Sequence, residues 1–116
     1  MAELTNIPGS SAVIDRGFIT YSNQSKIEML GVRESTLTKH GAVSRETAEE
    51  MATGAIKHSL ANFAISITGI AGPGASSGKP EGRVCFAWSD AKLNCSSEAV
   101  DFGPIGRTSV RKKAVM

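Results

Sequence analysis

Two serines, a tyrosine and a lysine stand within seventeen residues near the start of the chain: Ser10, Ser11, Tyr21 and Lys26. Ser10 and Ser11 follow Pro8 and Gly9, so a hydroxyl is offered from a turn or a helix N-terminus. Lys26 falls in the first turn of a short helix predicted over residues 24–30, with Ser22 or Asn23 as its N-cap. A cation there meets the positive end of the helix dipole, and burial disfavours its charged form further. A neutral lysine is a usable general base, a serine within its reach a nucleophile, and the Tyr21 hydroxyl a relay or a support for the amine. Each residue also has an ordinary reading: a Ser-Ser turn, a strand-end tyrosine, a surface lysine.

The elements that must position these groups follow from pattern. β-Branched and aromatic residues over 13–21 predict a strand, with Gly17 as a bulge or close-approach point. Tyr21 would end that strand at its carboxyl side, where open α/β sheets bind ligands. Residues 35–40 read as a helical turn closed by Gly41. Ser44 caps the clearest helix, residues 45–60, whose first turns carry Glu46, Glu49 and Glu50. Ala48, Met51, Ala52, Ala55, Ile56 and Ser59 form its narrow stripe of small residues, and Gly54 marks close approach to a neighbouring element. His58 reads as a surface residue late in that helix.

The apolar run 63–68 predicts a central strand buried on both faces. Four glycines and two serines follow over 69–78, a loop able to turn backbone N–H groups toward an anion. Its spacing matches neither a Walker A loop nor a dinucleotide fingerprint. Residues 84–89 and 94–102 predict a hairpin around a turn at 90–92, with Trp88 over one face, and a last helix starts near Gly106. This order implies an α/β fold, a mixed β-sheet covered by helices, in a single domain spanning residues 1–116.

Composition narrows the function classes. With 41% hydrophobic and 21% charged residues the chain is globular, its core aliphatic and alanine-rich. The net charge of +2 is uneven, because Arg107, Arg111, Lys112 and Lys113 close the chain while the other nine basic residues face eleven acidic ones. The body is therefore no general nucleic-acid binder. Its basic end reads as a phosphate-contacting helix or a solvated tail. No run approaches the ~18 apolar residues of a membrane span, and the N-terminus lacks a signal-peptide pattern. Cys85 and Cys95 do not make a disulfide framework, and no His or Cys spacing suggests a metal site. These features are expected of a reduced, cytoplasmic protein without metal or cofactor.

The ordered motifs carry more. Pro-Gly-Ser-Ser-Ala, Gly-Phe-Ile-Thr-Tyr-Ser-Asn-x-x-Lys, Met-Leu-Gly-Val, His-Gly-Ala-Val-Ser and Ser-Ile-Thr-Gly-Ile-Ala-Gly-Pro resemble the CinA C-terminal domain family, which includes the nicotinamide mononucleotide amidohydrolases. The resemblance runs from about Leu4 to Arg111, and Lys79-Pro80-Glu81-Gly82-Arg83-Val84 fits its continuation. It implies hydrolysis of the carboxamide of nicotinamide mononucleotide to nicotinic acid mononucleotide and ammonia, a salvage step toward NAD.

On that resemblance Ser11 is the nucleophile, with Ser10 the fallback and otherwise a substrate contact. Lys26 is the base and Tyr21 the relay or positioning group. Thr68, Gly69 and Gly72 lie along the nucleotide, and Arg107 meets its phosphate. The partner is a small nucleotide, with no nucleic acid or membrane, and the chain is expected to form a homo-oligomer. Two departures stand out. The family's preceding segment, of the type Ala-Glu-Ser-Cys-Thr-Gly-Gly, has no counterpart here, and the last helix stops about two turns in, with Ile105-Gly106 where an acidic residue is expected. The chain is thus expected to be truncated at both ends. This gives a second reading, a catalytically inactive nucleotide-binding or assembly module. A third, a link to competence or DNA damage, finds no physical support in an acidic body without interleaved aromatics.

Overall fold

The stripe of small residues on the longest helix decides how the layers stack. The computed structural model describes residues 2–76 and 78–115, with only the backbone of Ala2, and orders them as α1 (Ala2–Thr5), a 3₁₀ turn (Ser10–Ala12), α2 (Asn23–Leu30), α3 (Glu34–His40), α4 (Arg45–Lys57), β1 (Phe63–Gly69), β2 (Arg83–Asp90), β3 (Cys95–Asp101) and α5 (Arg107–Ala114). Met1, Ser77 and Met116, which belong to the expected single domain and its glycine-rich loop, lie outside the described residues. Ala48 and Ala52 of α4 are fully buried against Cys85 and Ala87 of β2, so the helix lies close on the sheet. Ser66 of β1 donates its hydroxyl to the Ala48 carbonyl, satisfying a buried polar group across the same interface.

A second cluster, Leu30, Val32, Leu37 and Met51, joins α2 and α3 to α4, with Phe18 and Ile27 packed against it. Gly54 is what allows this approach, since a Cβ there would stand 1.9 Å from the Leu30 carbonyl oxygen. Glu50 ties the same corner from α4. It accepts from the Arg33 backbone N–H at 2.9 Å, from the Arg33 guanidinium at 3.0 Å and from the Thr36 hydroxyl at 2.5 Å.

Helices covering a sheet bear out the α/β class. The described strands run β1-β2-β3, and both pairings are antiparallel. The hairpin forms as expected: Asp90 closes its turn by accepting from the backbone of Lys92 and Asn94, and Leu93 takes a positive φ of 64°. Cys85 and Cys95 sit on neighbouring strands as free thiols.

Two expectations are corrected. Residues 13–21 form no strand, although their composition suits one. Propensity is local but a ladder needs a partner backbone, and none pairs here among the described residues. The stretch is instead pinned by side chains, the Asp15 carboxylate accepting from Leu60 N–H and the Arg16 guanidinium donating to the His58 carbonyl. The second correction concerns β1, which ends the sheet of described strands and is open on one face rather than buried on both. Its inward residues Ser66 and Thr68 are buried under α4, whereas Phe63, Ile65 and Ile67 face outward, Ile65 being 62% exposed. Trp88 of β2 pairs with Ile65 on that same outer face, 38% exposed. A continuous apolar run reads identically whether one sheet face or both are covered, so periodicity alone does not separate the two cases.

Candidate active site

The helix that carries Lys26 begins as the sequence requires. Ser22 accepts from the Ser25 backbone N–H at 3.1 Å, and the Ser25 hydroxyl accepts from Ser22 N–H at 3.1 Å, a reciprocal capping box. This fixes Ser22, not Asn23, as the cap. Lys26 follows in the first turn, turned inward and only 5% exposed. Its ammonium donates to the Thr20 carbonyl at 2.8 Å and has no carboxylate at ion-pair distance among the described residues. Burial therefore pulls the Lys26 amine below the usual lysine range.

The serines are held by a different device. Gly9 takes φ 86°, and the chain then turns through the 3₁₀ segment, with Ser10 N–H bonded to the Ile7 carbonyl at 3.1 Å. Ser10 is half-buried and Ser11 exposed. Tyr21, just before the cap, is 87% exposed with its ring in solvent. Among the described residues no hydrogen bond joins Ser10, Ser11 or Tyr21 to Lys26.

The remaining candidates gather at the carboxyl end of β1. Arg107, first residue of α5, donates to the Gly72 carbonyl at 3.0 Å, so the last helix does reach the glycine-rich loop. Gly72 has φ 93°, and a Cβ there would come within 2.7 Å of the Glu81 side chain, which itself accepts from Gly74 N–H. Gly69 closes β1 opposite Val84, whose methyl a Cβ would meet at 3.0 Å. Thr68 faces the helix layer and donates its hydroxyl to the Ala42 carbonyl at 2.9 Å. Two hydrogen-bonded pairs thus emerge, Lys26 with Thr20 and Gly72 with Arg107. Sequence reasoning missed Thr20, which acts through a backbone carbonyl and carries no residue-type signal. It also read Lys79 only as part of a motif, whereas its ammonium donates to both the His40 and Val43 carbonyls. No group of three or more His, Cys, Asp or Glu able to hold a metal occurs among the described residues.

An antiparallel sheet under a helical layer, with a buried lysine that has no carboxylate partner among the described residues and a glycine-rich loop at a strand end, makes this a small α/β domain. The chain belongs to the CinA C-terminal domain family, which matches residues 1–116. It is 56% identical over 90 residues to the nicotinamide-nucleotide amidohydrolase PncC of Escherichia coli K12, covering 77% of this chain and 54% of that protein. It is 57% identical over 98 residues to a CinA-like protein of Chloroherpeton thalassium, covering 83% of this chain and 23% of that one. Among solved structures, the competence/damage inducible protein CihA of Agrobacterium tumefaciens superposes with a TM-score of 0.93 at 52% identity, covering 98% of this chain and 70% of that one. The chain spans about half the length of the amidohydrolase relatives it matches. Among the described residues no helix is long and apolar enough to cross a membrane.

Proposed function

We propose that this chain carries the chemistry of a nicotinamide-nucleotide amidohydrolase, releasing ammonia from nicotinamide mononucleotide by a serine–lysine mechanism. The observation that carries the reading is Lys26, a buried amine kept below its ordinary pKa and left without a carboxylate. The amidohydrolase name of relatives 56% identical supports the substrate class.

In its neutral form, which burial favours, the Lys26 amine takes the proton of Ser11 Oγ as that oxygen adds to the carboxamide carbon; Ser10 is the alternative nucleophile. The resulting oxyanion collapses, the C–N bond breaks, and the lysine ammonium returns its proton to the departing amide nitrogen, which leaves as ammonia. Water, deprotonated by the same amine, then cleaves the acyl-serine and restores both groups. Tyr21, whose ring lies in solvent and makes no bond to Lys26, must turn inward to relay the proton or hold the amine. Backbone around Thr68, Gly69 and Gly72 lies along the nucleotide, and Arg107, already at the Gly72 carbonyl, grips the 5′-phosphate through its remaining N–H groups.

Ammonia release from nicotinamide mononucleotide by this chain, beside its Ser11→Ala and Lys26→Met variants, tests the reading. Turnover abolished in both variants is the expected result. Turnover that survives Ser11→Ala alone moves the nucleophile to Ser10. A second reading, an inactive nucleotide-binding module, is favoured by the lack of any hydrogen bond between the serines and Lys26. It predicts no ammonia from the parent chain but a thermal shift on adding the nucleotide.

A further inference from the structure

Beside the start of α4, away from Ser10, Ser11, Tyr21 and Lys26, a cavity of about 400 Å³ opens. Four cations from four separate elements line it: Lys39 from α3, Arg45 from α4, Lys79 from the loop after β1 and Arg83 from β2. Glu46 is the single carboxylate among the described lining residues, and it stands 3.6 Å from His40. Arg83 is neutralised by Asp101, through bonds of 2.8 and 3.1 Å.

The other three are not neutralised in that way. Lys39 makes no hydrogen bond or ion pair among the described residues. Arg45 is held by one bond to the Ser97 hydroxyl at 3.1 Å, which links it to Glu49 and leaves its two terminal nitrogens free. Lys79 spends two of its three N–H bonds on the His40 and Val43 carbonyls, without a carboxylate. That clamp explains Lys79 as a tie across the turn at 41–44, and the Ser97 bond ties Arg45 to β3, but Lys39 and the terminal nitrogens of Arg45 are left without a partner among the described residues. Burial raises the Cys85 thiol; Lys79 and Arg83 pull it down, while Glu46 and Asp101 push it up. Like charges gathered on one wall repel one another, and a bound anion relieves that repulsion.

We propose that this cavity binds a small phosphate-bearing molecule at a site separate from that of Lys26. Cations lining one opening from three elements suit a tetrahedral anion with several equivalent oxygens, whereas a planar carboxylate is satisfied by one guanidinium fork. The volume falls within the ~300–1,000 Å³ of small-molecule sites, room for more than inorganic phosphate alone. This inference does not depend on the amidase reading.

Calorimetric titration with inorganic phosphate and pyrophosphate tests it, with citrate as a carboxylate of comparable charge. Pyrophosphate binding is expected, weakened at least about tenfold in the Lys39→Ala/Arg45→Ala double variant. Both positions are exposed, and an unchanged melting temperature confirms that the double variant folds. Lys26→Met is expected to leave the affinity unchanged. The proposal is overturned by no binding up to about 10 mM pyrophosphate, by equal affinity in the double variant, or by loss of binding in Lys26→Met. It is equally overturned by citrate binding as tightly as pyrophosphate.

Discussion

Replacing Lys26 by methionine separates the fold's need for this side chain from the chemistry's need. The amine sits buried on the Thr20 carbonyl with no countercharge, so its folded pKa lies below its unfolded value near ~10.4. Between those two values the unfolded chain holds the extra proton, so stability rises with pH through the window and the penalty is fully present below it. Lys26→Met keeps an unbranched buried stem but removes the charge and the donor. The Thr20 carbonyl then loses its partner, at about 1–3 kcal/mol, while the desolvation of the ammonium disappears and offsets much of that loss. The net change at neutral pH is expected within about 2 kcal/mol of the parent. Lys26→Ala, which also deletes the stem, is expected to cost about 2–5 kcal/mol. Urea unfolding followed by circular dichroism between neutral pH and about pH 10 reads both effects. The parent is expected to gain stability relative to Lys26→Met as pH rises, and the proposed amidase activity is expected to be lower by about 10²–10⁴ in the folded Met variant. Parallel pH dependence of the two proteins would refute the perturbed amine, and with it the physical case for a neutral lysine base.

Three further outcomes follow from the packing. Gly54→Ala gains ~1 kcal/mol of helix propensity but drives a Cβ into the Leu30 carbonyl 1.9 Å away; a net loss of about 3 kcal/mol or more, or no folded state, is expected in urea unfolding. Ser22→Ala removes the Ser22 hydroxyl that accepts from Ser25 N–H, leaving the backbone N–H of residue 22 on the Ser25 hydroxyl, and should lower stability by about 1 kcal/mol, measured the same way. At Glu50 burial raises the carboxyl pKa, but hydrogen bonds from Arg33 and Thr36 together outweigh it and hold the group below the usual range. Its stabilising contribution is therefore complete above the unfolded value near ~4.3 and is lost as pH falls through the folded one. Unfolding titrations of parent and Glu50→Gln should converge on acidification, and a constant difference would sink the assignment.

The residues themselves determined every element made by local chemistry. Ser22 and Ser44 announce α2 and α4 because a cap is a bond between near neighbours, and the glycines at 31 and 41 close α2 and α3 for the same reason. Asp90 and Asn94 set the hairpin turn, and the alanine stripe with Gly54 foretold close packing on α4. Lys26 could be placed in a first helical turn with an amine inclined to lose its proton. What only the tertiary structure decided was every relation between distant backbones. Strand composition at 13–21 produced no strand, because a ladder exists only where another chain segment lies alongside. An apolar β1 proved open on its outer face, because burial of a second face depends on what packs there and not on its own side chains. The partners of the lysines were equally invisible: Thr20 for Lys26, His40 and Val43 for Lys79 are all carbonyl oxygens, which every residue carries and no sequence pattern marks.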